Sequence, residues 1–98
     1  MGRPGRKCVA KALPELMERH AVNFIIANAE NSAGGLGATV DVVRELRQMG
    51  VHALTLGNHA WAKKDLIGAI DGFDFVVRPL NFARGLPGRG ATVMKAPN

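Results

Sequence analysis

With 98 residues, 47% of them hydrophobic and 21% charged, the chain has the size and composition of one small globular domain, which excludes a disordered chain. The formal net charge of +5 favours anionic partners such as phosphates, but the basic residues are spread along the chain, which is weak support for a nucleic-acid binder. No apolar run is long enough to cross a bilayer, and the single cysteine excludes an internal disulfide, so we expect a cytoplasmic protein without a membrane partner.

The first third of the chain is predicted to form a helix, a strand and a loop. Residues 7–20 carry apolar side chains near helical spacing, with Pro14 expected to kink or divide the helix and Cys8 expected to be a small buried residue on it. The apolar run 22–27 predicts a buried strand, and the glycine-rich residues 28–38 predict a loop.

The rest of the chain continues the alternation of helices and strands. Thr39 is a suitable N-cap for a helix that runs to Met49, and Gly50 is suited to the position that ends it. The later predicted segments are a strand, a helix, a strand, a loop and the start of a fourth strand: 51–56, 61–70, 73–77, 78–90 and 91–94. Strands that alternate with helices predict an α/β fold made of βαβ units around a parallel sheet.

Polar residues follow two of the predicted strands. Glu30 and Asn31 come after the first strand, and Asn58 and His59 come after the second. Because sites in open parallel sheets form beyond the carboxyl ends of the strands, we expect these residues to meet at one edge if the strands are neighbours. Carboxylate, amide and imidazole groups suit divalent metals that bind a phosphate and activate a water. The spacing is equally compatible with asparagines that only cap turns.

Two other residues have structural interpretations. His52 lies within a strand pattern, which favours a structural histidine over a metal ligand. Trp61 follows the Asn-His pair and could cover a pocket, but the role of a core residue that anchors the third helix is favoured.

Five segments together resemble one protein family. They are residues 4–7 (PGRK), 26–35 (IANAENSAGG), 55–61 (TLGNHAW), 78–81 (RPLN) and 87–90 (PGRG). In this combination, which runs along nearly the whole chain, the sequence resembles the YmdB-like metallophosphoesterases of the calcineurin-like superfamily.

The resemblance implies a phosphodiesterase with two divalent metal ions, iron or manganese, that acts on phosphodiesters such as 2′,3′- or 3′,5′-cyclic nucleotides. The implied fold is an α/β/β/α sandwich. Glu30 matches the carboxylate that bridges the metals, Asn31 a neighbouring ligand or a residue that supports one, and Asn58 the amide ligand of one metal. His59 matches the catalytic histidine that assists the leaving group or binds the phosphate.

The chain also departs from the family pattern. The family opens with a strand ending in Gly-Asp, whose aspartate binds a metal, and it takes histidine ligands from its second half; neither is present here. We therefore expect residues 1–98 to be the amino-terminal part of such a domain, without the opening strand and the carboxyl-terminal half, and inactive alone. Ala60 and Ala62 stand where the family commonly has Thr and Asp, which affects capping but removes no ligand.

Some alternatives remain open from the sequence. The chain could be a small non-catalytic α/β module that binds nucleic acid or a phosphorylated partner. RNA is a further candidate partner, and so is a second copy of the chain, because a sheet edge without a neighbour tends to pair with another molecule.

Overall fold

The computed structural model describes residues 2–96, which form three α-helices and three strands. In chain order the elements are α1 (Arg3–Arg19), β1 (Ile26–Asn28), α2 (Val40–Gln48), β2 (Ala53–Thr55), α3 (Lys64–Ala69), a 3₁₀ turn (Ile70–Gly72) and β3 (Val76–Val77). The strands pair in parallel in the order β1-β2-β3. The predicted α/β class with parallel βαβ units is therefore confirmed.

The α2 helix begins and ends as its capping residues predict. The Thr39 hydroxyl oxygen accepts a hydrogen bond from the Val42 N–H at 3.2 Å, which satisfies one of the donors left free at the start of a helix. After the helix, Gly50 adopts a φ of 108°, a conformation that only glycine reaches without strain. Val43 and Leu46 on the inner face of α2 are fully buried.

The two faces of the sheet differ in what covers them. Leu54 and Val76 are fully buried in one core with residues of α2 and α3. Because side chains alternate across a strand, their neighbours point to the other face. There Ile26 is 64% exposed and, with Ala53 and Thr55, lines an open groove of about 390 Å³. One face of the sheet is therefore packed, and in the described part of the chain the other is open.

The α1 helix differs from its prediction in three ways. It begins at Arg3 rather than at residue 7. Pro4 is tolerated in the first turn, because the backbone N–H that proline lacks would have no partner within the helix at that position. The predicted division at Pro14 does not occur, and the kink stays a prediction; this proline is exposed, so water can reach the backbone carbonyl that loses its donor. The prediction that Cys8 is buried is wrong, since its side chain is exposed.

The strands and the third helix are shorter than predicted. Pairing with β2 confines β1 and β3 to the residues that have a partner, so neither covers the whole of its apolar run. The third helix begins at Lys64 instead of residue 61, after an extended Lys63. No strand forms at 91–94 within the described residues, where Val93 is fully exposed.

The loop that follows β3 is closed at its base by a buried arginine. Arg78 Nε donates to the Pro87 carbonyl at 3.0 Å, and Nη1 donates to the Pro79 carbonyl at 3.1 Å. The backbone adds a parallel bridge between Val77 and Arg89. The two ends of the loop are thus fixed to each other while its tip is exposed.

No helix within residues 2–96 is both long and apolar enough to cross a bilayer.

Candidate active site

Glu30 lies just beyond the carboxyl end of β1 and packs onto a glycine of the neighbouring loop. The Ala29 N–H donates to the Thr55 carbonyl at 2.9 Å, so the chain stays tied to β2 one residue past the strand. The Asn28 side-chain oxygen accepts from the Glu30 N–H at 3.1 Å and closes the turn. The Glu30 carboxylate then lies so close to Gly57 that a Cβ on that glycine would be 2.0 Å from Oε1.

His59 joins the loops that follow β1 and β2. Its Nδ1 lies 2.9 Å from Asn31 Oδ1 and 3.4 Å from Glu30 Oε2. The His59 side chain is 39% exposed and that of Glu30 is 18% exposed, so solvent reaches both. Asn58 is exposed and directly precedes His59. The predicted meeting of these residues at the carboxyl edge of the sheet is confirmed for Glu30, Asn31 and His59.

The contact between Asn31 and His59 defines what the imidazole can do. Because an amide oxygen only accepts, the contact with Asn31 Oδ1 is a hydrogen bond in the tautomer that carries its proton on Nδ1, and in that tautomer the Nε2 lone pair is available to bind a cation or to take a proton. Holding one ring nitrogen in this way fixes the tautomer and the orientation of the ring.

Both loops are held by short backbone contacts. The buried Ser32 hydroxyl donates to the Ala29 carbonyl at 2.8 Å, which folds the residues after β1 into a tight turn. Further along, Gly37 has a φ of 70°, and a Cβ there would be 2.9 Å from Ala62 Cβ and 3.2 Å from the His59 carbonyl oxygen. The glycine-rich loop therefore packs directly on the backbone that carries the histidine.

The donor set suits part of a metal site. One carboxylate, one imidazole and two amide oxygens are ligands that divalent iron, manganese or magnesium accept. Within residues 2–96, however, no group of three or more His, Cys, Asp or Glu side chains could hold an ion. Glu30, Asn31, Asn58 and His59 would therefore offer only part of the ligands that a pair of metal ions would require.

The sequence patterns did not indicate a role for Gly57 or Asn28. Gly57 leaves the space that the Glu30 carboxylate fills, and Asn28 closes the turn on which Glu30 stands. For Gly57 the sequence does contain a signal: it directly precedes Asn58 and His59 at a strand end. A glycine at that position leaves room for a side chain from the end of the neighbouring strand.

The structural interpretations of two other residues are confirmed. His52 Nδ1 accepts from the Ile25 N–H at 2.9 Å, and its ring stacks on Phe24 with 4.8 Å between centroids. Trp61 is partly buried against the core and lies 5.8 Å from the Phe82 ring, which confirms the packing role; it precedes α3, so its anchoring of that helix stays a prediction.

Comparisons with known proteins give the chain its relatives. It is 43% identical over 96 residues to the 2′,3′-cyclic-nucleotide 2′-phosphodiesterase of Bacillus subtilis, a match that covers 98% of this chain and 36% of that protein. Among solved structures it is similar to a phosphatase of Mycoplasma pneumoniae, with a TM-score of 0.88, 32% identity, and coverage of 96% and 35% of the two chains. A protein of Thermus thermophilus gives a TM-score of 0.81 and 41% identity over 92% of this chain and 34% of that one.

These matches settle the family and the fold. The chain spans about a third of the length of each of these relatives. Over the part that the two chains share, its fold is that of the Mycoplasma pneumoniae phosphatase. The YmdB-like protein family matches over residues 1–98, and the chain belongs to that family.

Proposed function

We propose that the chain supplies part of the active site of a two-metal phosphodiesterase that hydrolyses phosphodiesters such as 2′,3′- or 3′,5′-cyclic nucleotides. The observation that carries this proposal is the Glu30 carboxylate 3.4 Å from the His59 imidazole, at the carboxyl edge of a parallel sheet. The name of the Bacillus subtilis relative supports the class of substrate.

Each of the four residues has a distinct proposed task. Glu30 would bridge two divalent ions, iron or manganese, Asn58 would offer its amide oxygen to one of them, and Asn31 would act as a neighbouring ligand or orient His59 at 2.9 Å. When bound there, such ions would supply polarisation of the phosphoryl oxygens and activation of a water. His59 would bind the phosphate or give a proton to the leaving oxygen, using the nitrogen that Asn31 does not hold.

On its own the chain is expected to bind metal weakly and to show no useful turnover. Among its described residues Glu30 is the carboxylate at this edge, and no group of three or more strong ligands is present. Neutral amide oxygens do not compensate for missing carboxylates and histidines.

The proposed phosphodiesterase function also suggests partners and a location for the protein. The main partner is a phosphodiester or cyclic nucleotide, RNA is a second candidate, and a homo-oligomer is a third. We propose a cytoplasmic location, since a chain with one cysteine and no internal disulfide fits a reducing compartment.

The proposal can be tested in a chimera. Residues 1–98 replace the matching third of the Bacillus subtilis relative, and hydrolysis of 2′,3′-cyclic AMP is measured with added manganese beside metal analysis. The chimera should be active and the isolated chain inactive. Glu30→Gln should lower metal occupancy, Asn58→Ala should empty mainly one site, and His59→Gln should keep the metal but slow hydrolysis by roughly 10²–10⁴-fold.

Several outcomes would change this proposal. Full activity of the isolated chain would refute the view that further ligands are needed. Normal rates for His59→Gln in the chimera would refute the role of His59 but not the metal site. An inactive chimera, together with salt-sensitive RNA binding by the metal-free chain, would favour the non-catalytic nucleic-acid module instead.

A further inference from the structure

The α1 helix buries an arginine where helices usually bury apolar side chains. Arg6 is the one buried residue of α1, with its side chain 10% exposed. Burial of a charge is unfavourable unless the group is paired and its hydrogen-bond donors are satisfied. The contacts of this guanidinium therefore indicate why it is there.

Arg6 contacts two elements that are distant in sequence. Its Nε donates to Glu45 Oε2 on α2 at 3.2 Å, and its Nη1 donates to the backbone carbonyl of Ser32. A planar guanidinium can reach two acceptors in one fixed geometry, which a lysine ammonium on a flexible stem cannot reproduce. The arginine thus joins α1, α2 and the loop that follows β1.

The carbonyl that Arg6 holds belongs to the segment of the candidate site. The residues before and after Glu30 and Asn31 are both fixed: the Ala29 N–H donates to β2 at 2.9 Å, and Ser32 is bound by Arg6. Only Glu30 and Asn31 lie between these two anchors. Movement of Ser32 would therefore change the direction of both side chains.

We propose that Arg6 is a positioning residue of the active site, which fixes the carboxyl-terminal end of the segment 29–32. With that end fixed, the Glu30 carboxylate stays over Gly57 and Asn31 stays beside His59. This inference deepens the proposed function and rests on it. It also provides a function for residues 4–7 (PGRK), a segment that carries the family resemblance but contains none of the four predicted site residues.

The test uses the complete chain and two measurements by NMR. Amide hydrogen exchange of Ser32, compared with that of Leu46 in the core of α2, reports how firmly the segment is held. Titration with Mn²⁺ up to millimolar concentration reports metal affinity through line broadening at Glu30, Asn31 and His59. The variants are Arg6→Met, which removes the donors, and Arg6→Lys, which keeps the charge.

Two control variants separate positioning from stability. Arg19→Met removes an exposed arginine of the same helix, paired with Glu15, and should change neither measurement. Val43→Ala opens a small cavity in the core and lowers the thermal midpoint, while the groups that Arg6 contacts, Glu45 and the Ser32 carbonyl, are unchanged. It should speed exchange at Ser32 and Leu46 alike and leave the Mn²⁺ affinity of the folded protein unchanged.

We expect Arg6→Met to weaken Mn²⁺ binding roughly 10- to 100-fold and to speed Ser32 exchange selectively. Arg6→Lys should restore part of both. If Arg6→Met and Val43→Ala behave alike at equal folded fraction, the inference is overturned. If the unmodified chain shows no Mn²⁺ broadening at these residues, the proposed metal site is refuted. The anchoring by Arg6 is then judged from hydrogen exchange in Arg6→Met alone: faster exchange at Ser32 but not at Leu46 supports it, and equally faster exchange at both overturns it.

Discussion

At the scale of single residues, the space over Gly57 decides where the Glu30 carboxylate can lie. A Cβ on this glycine would be 2.0, 2.4 and 2.7 Å from the three carboxylate atoms, far inside van der Waals contact. Gly57 does not use the left-handed region of φ, so an alanine there would meet no backbone strain. The glycine is needed for the room it leaves and not for its flexibility.

Gly57→Ala should therefore displace Glu30 and leave the fold intact. We expect Mn²⁺ affinity at the site to fall roughly tenfold or more, because the displaced carboxylate no longer faces His59. The matched control is Gly68→Ala in α3, where the new Cβ meets nothing within 4 Å. That change should raise the free energy of unfolding by about 0.5–1 kcal/mol through helix propensity. Equal metal affinities for the two variants would contradict the packing of Glu30 on Gly57.

At the scale of elements, the glycine-rich loop after β1 packs closely on the loop that carries His59, in addition to the side-chain contact between Asn31 and His59. Gly35 and Gly37 both have left-handed φ values, 88° and 70°. A Cβ on Gly35 would meet nothing within 4 Å, whereas one on Gly37 would press on Ala62 and on the His59 carbonyl. The two positions thus share backbone strain but differ in contact.

This difference can be measured with a pair of alanine variants. Gly35→Ala should lower the free energy of unfolding by about 1–2 kcal/mol, the cost of a left-handed alanine. Gly37→Ala should lower it further and shift the NMR signals of the His59 ring, because the loops must separate. Identical stabilities, with His59 signals unchanged in both, would argue against the contact between the loops.

The start of α2 offers an independent check at the same scale. Thr39→Ala removes the acceptor of the Val42 N–H and should lower the free energy of unfolding by about 1 kcal/mol in chemical denaturation. Thr39→Ser keeps a hydroxyl oxygen at that position and should restore most of the loss. A Thr39→Ala variant as stable as the original chain would show that the cap contributes nothing.

At the scale of the whole molecule, the open face of the sheet governs association. Ile26 is 64% exposed on this face, beside the groove of about 390 Å³. Exposed apolar surface of this kind, next to a β1 edge that has no neighbouring strand among residues 2–96, favours contact between molecules. We expect the isolated chain to be marginally stable or to self-associate.

Sedimentation velocity over a range of concentrations tests this expectation. Ile26→Thr keeps a β-branched side chain but reduces the apolar area, and it should shift the chain toward the monomer. Leu16→Thr is the control, because this leucine is 43% exposed but belongs to α1 and not to the sheet. A monomeric chain with a sharp thermal transition well above the mesophilic range would contradict both marginal stability and association.

Features of this structure could be predicted from the sequence where the residues that cause them are close together along the chain or follow a general rule of strand packing. The ends of α2 follow from Thr39 and Gly50, whose effects act within a few residues. The meeting of Glu30 with His59 follows from the rule that parallel strands align their carboxyl ends. The exposure of Cys8 could not be predicted, since α1 is oriented by the bond of Arg6 to Glu45, 39 residues away.

The hydrogen bonds of Arg78 to the Pro79 and Pro87 carbonyls at the base of the loop affect how the chain responds to a protease. Trypsin does not cut the bond between Arg78 and Pro79, so the first accessible arginine in this loop is Arg84 at the exposed tip. A cut there leaves Pro79 on one piece and Pro87 on the other, both still bound by the same guanidinium. The nicked chain should therefore elute as one particle under native conditions and separate into two peptides only in denaturant.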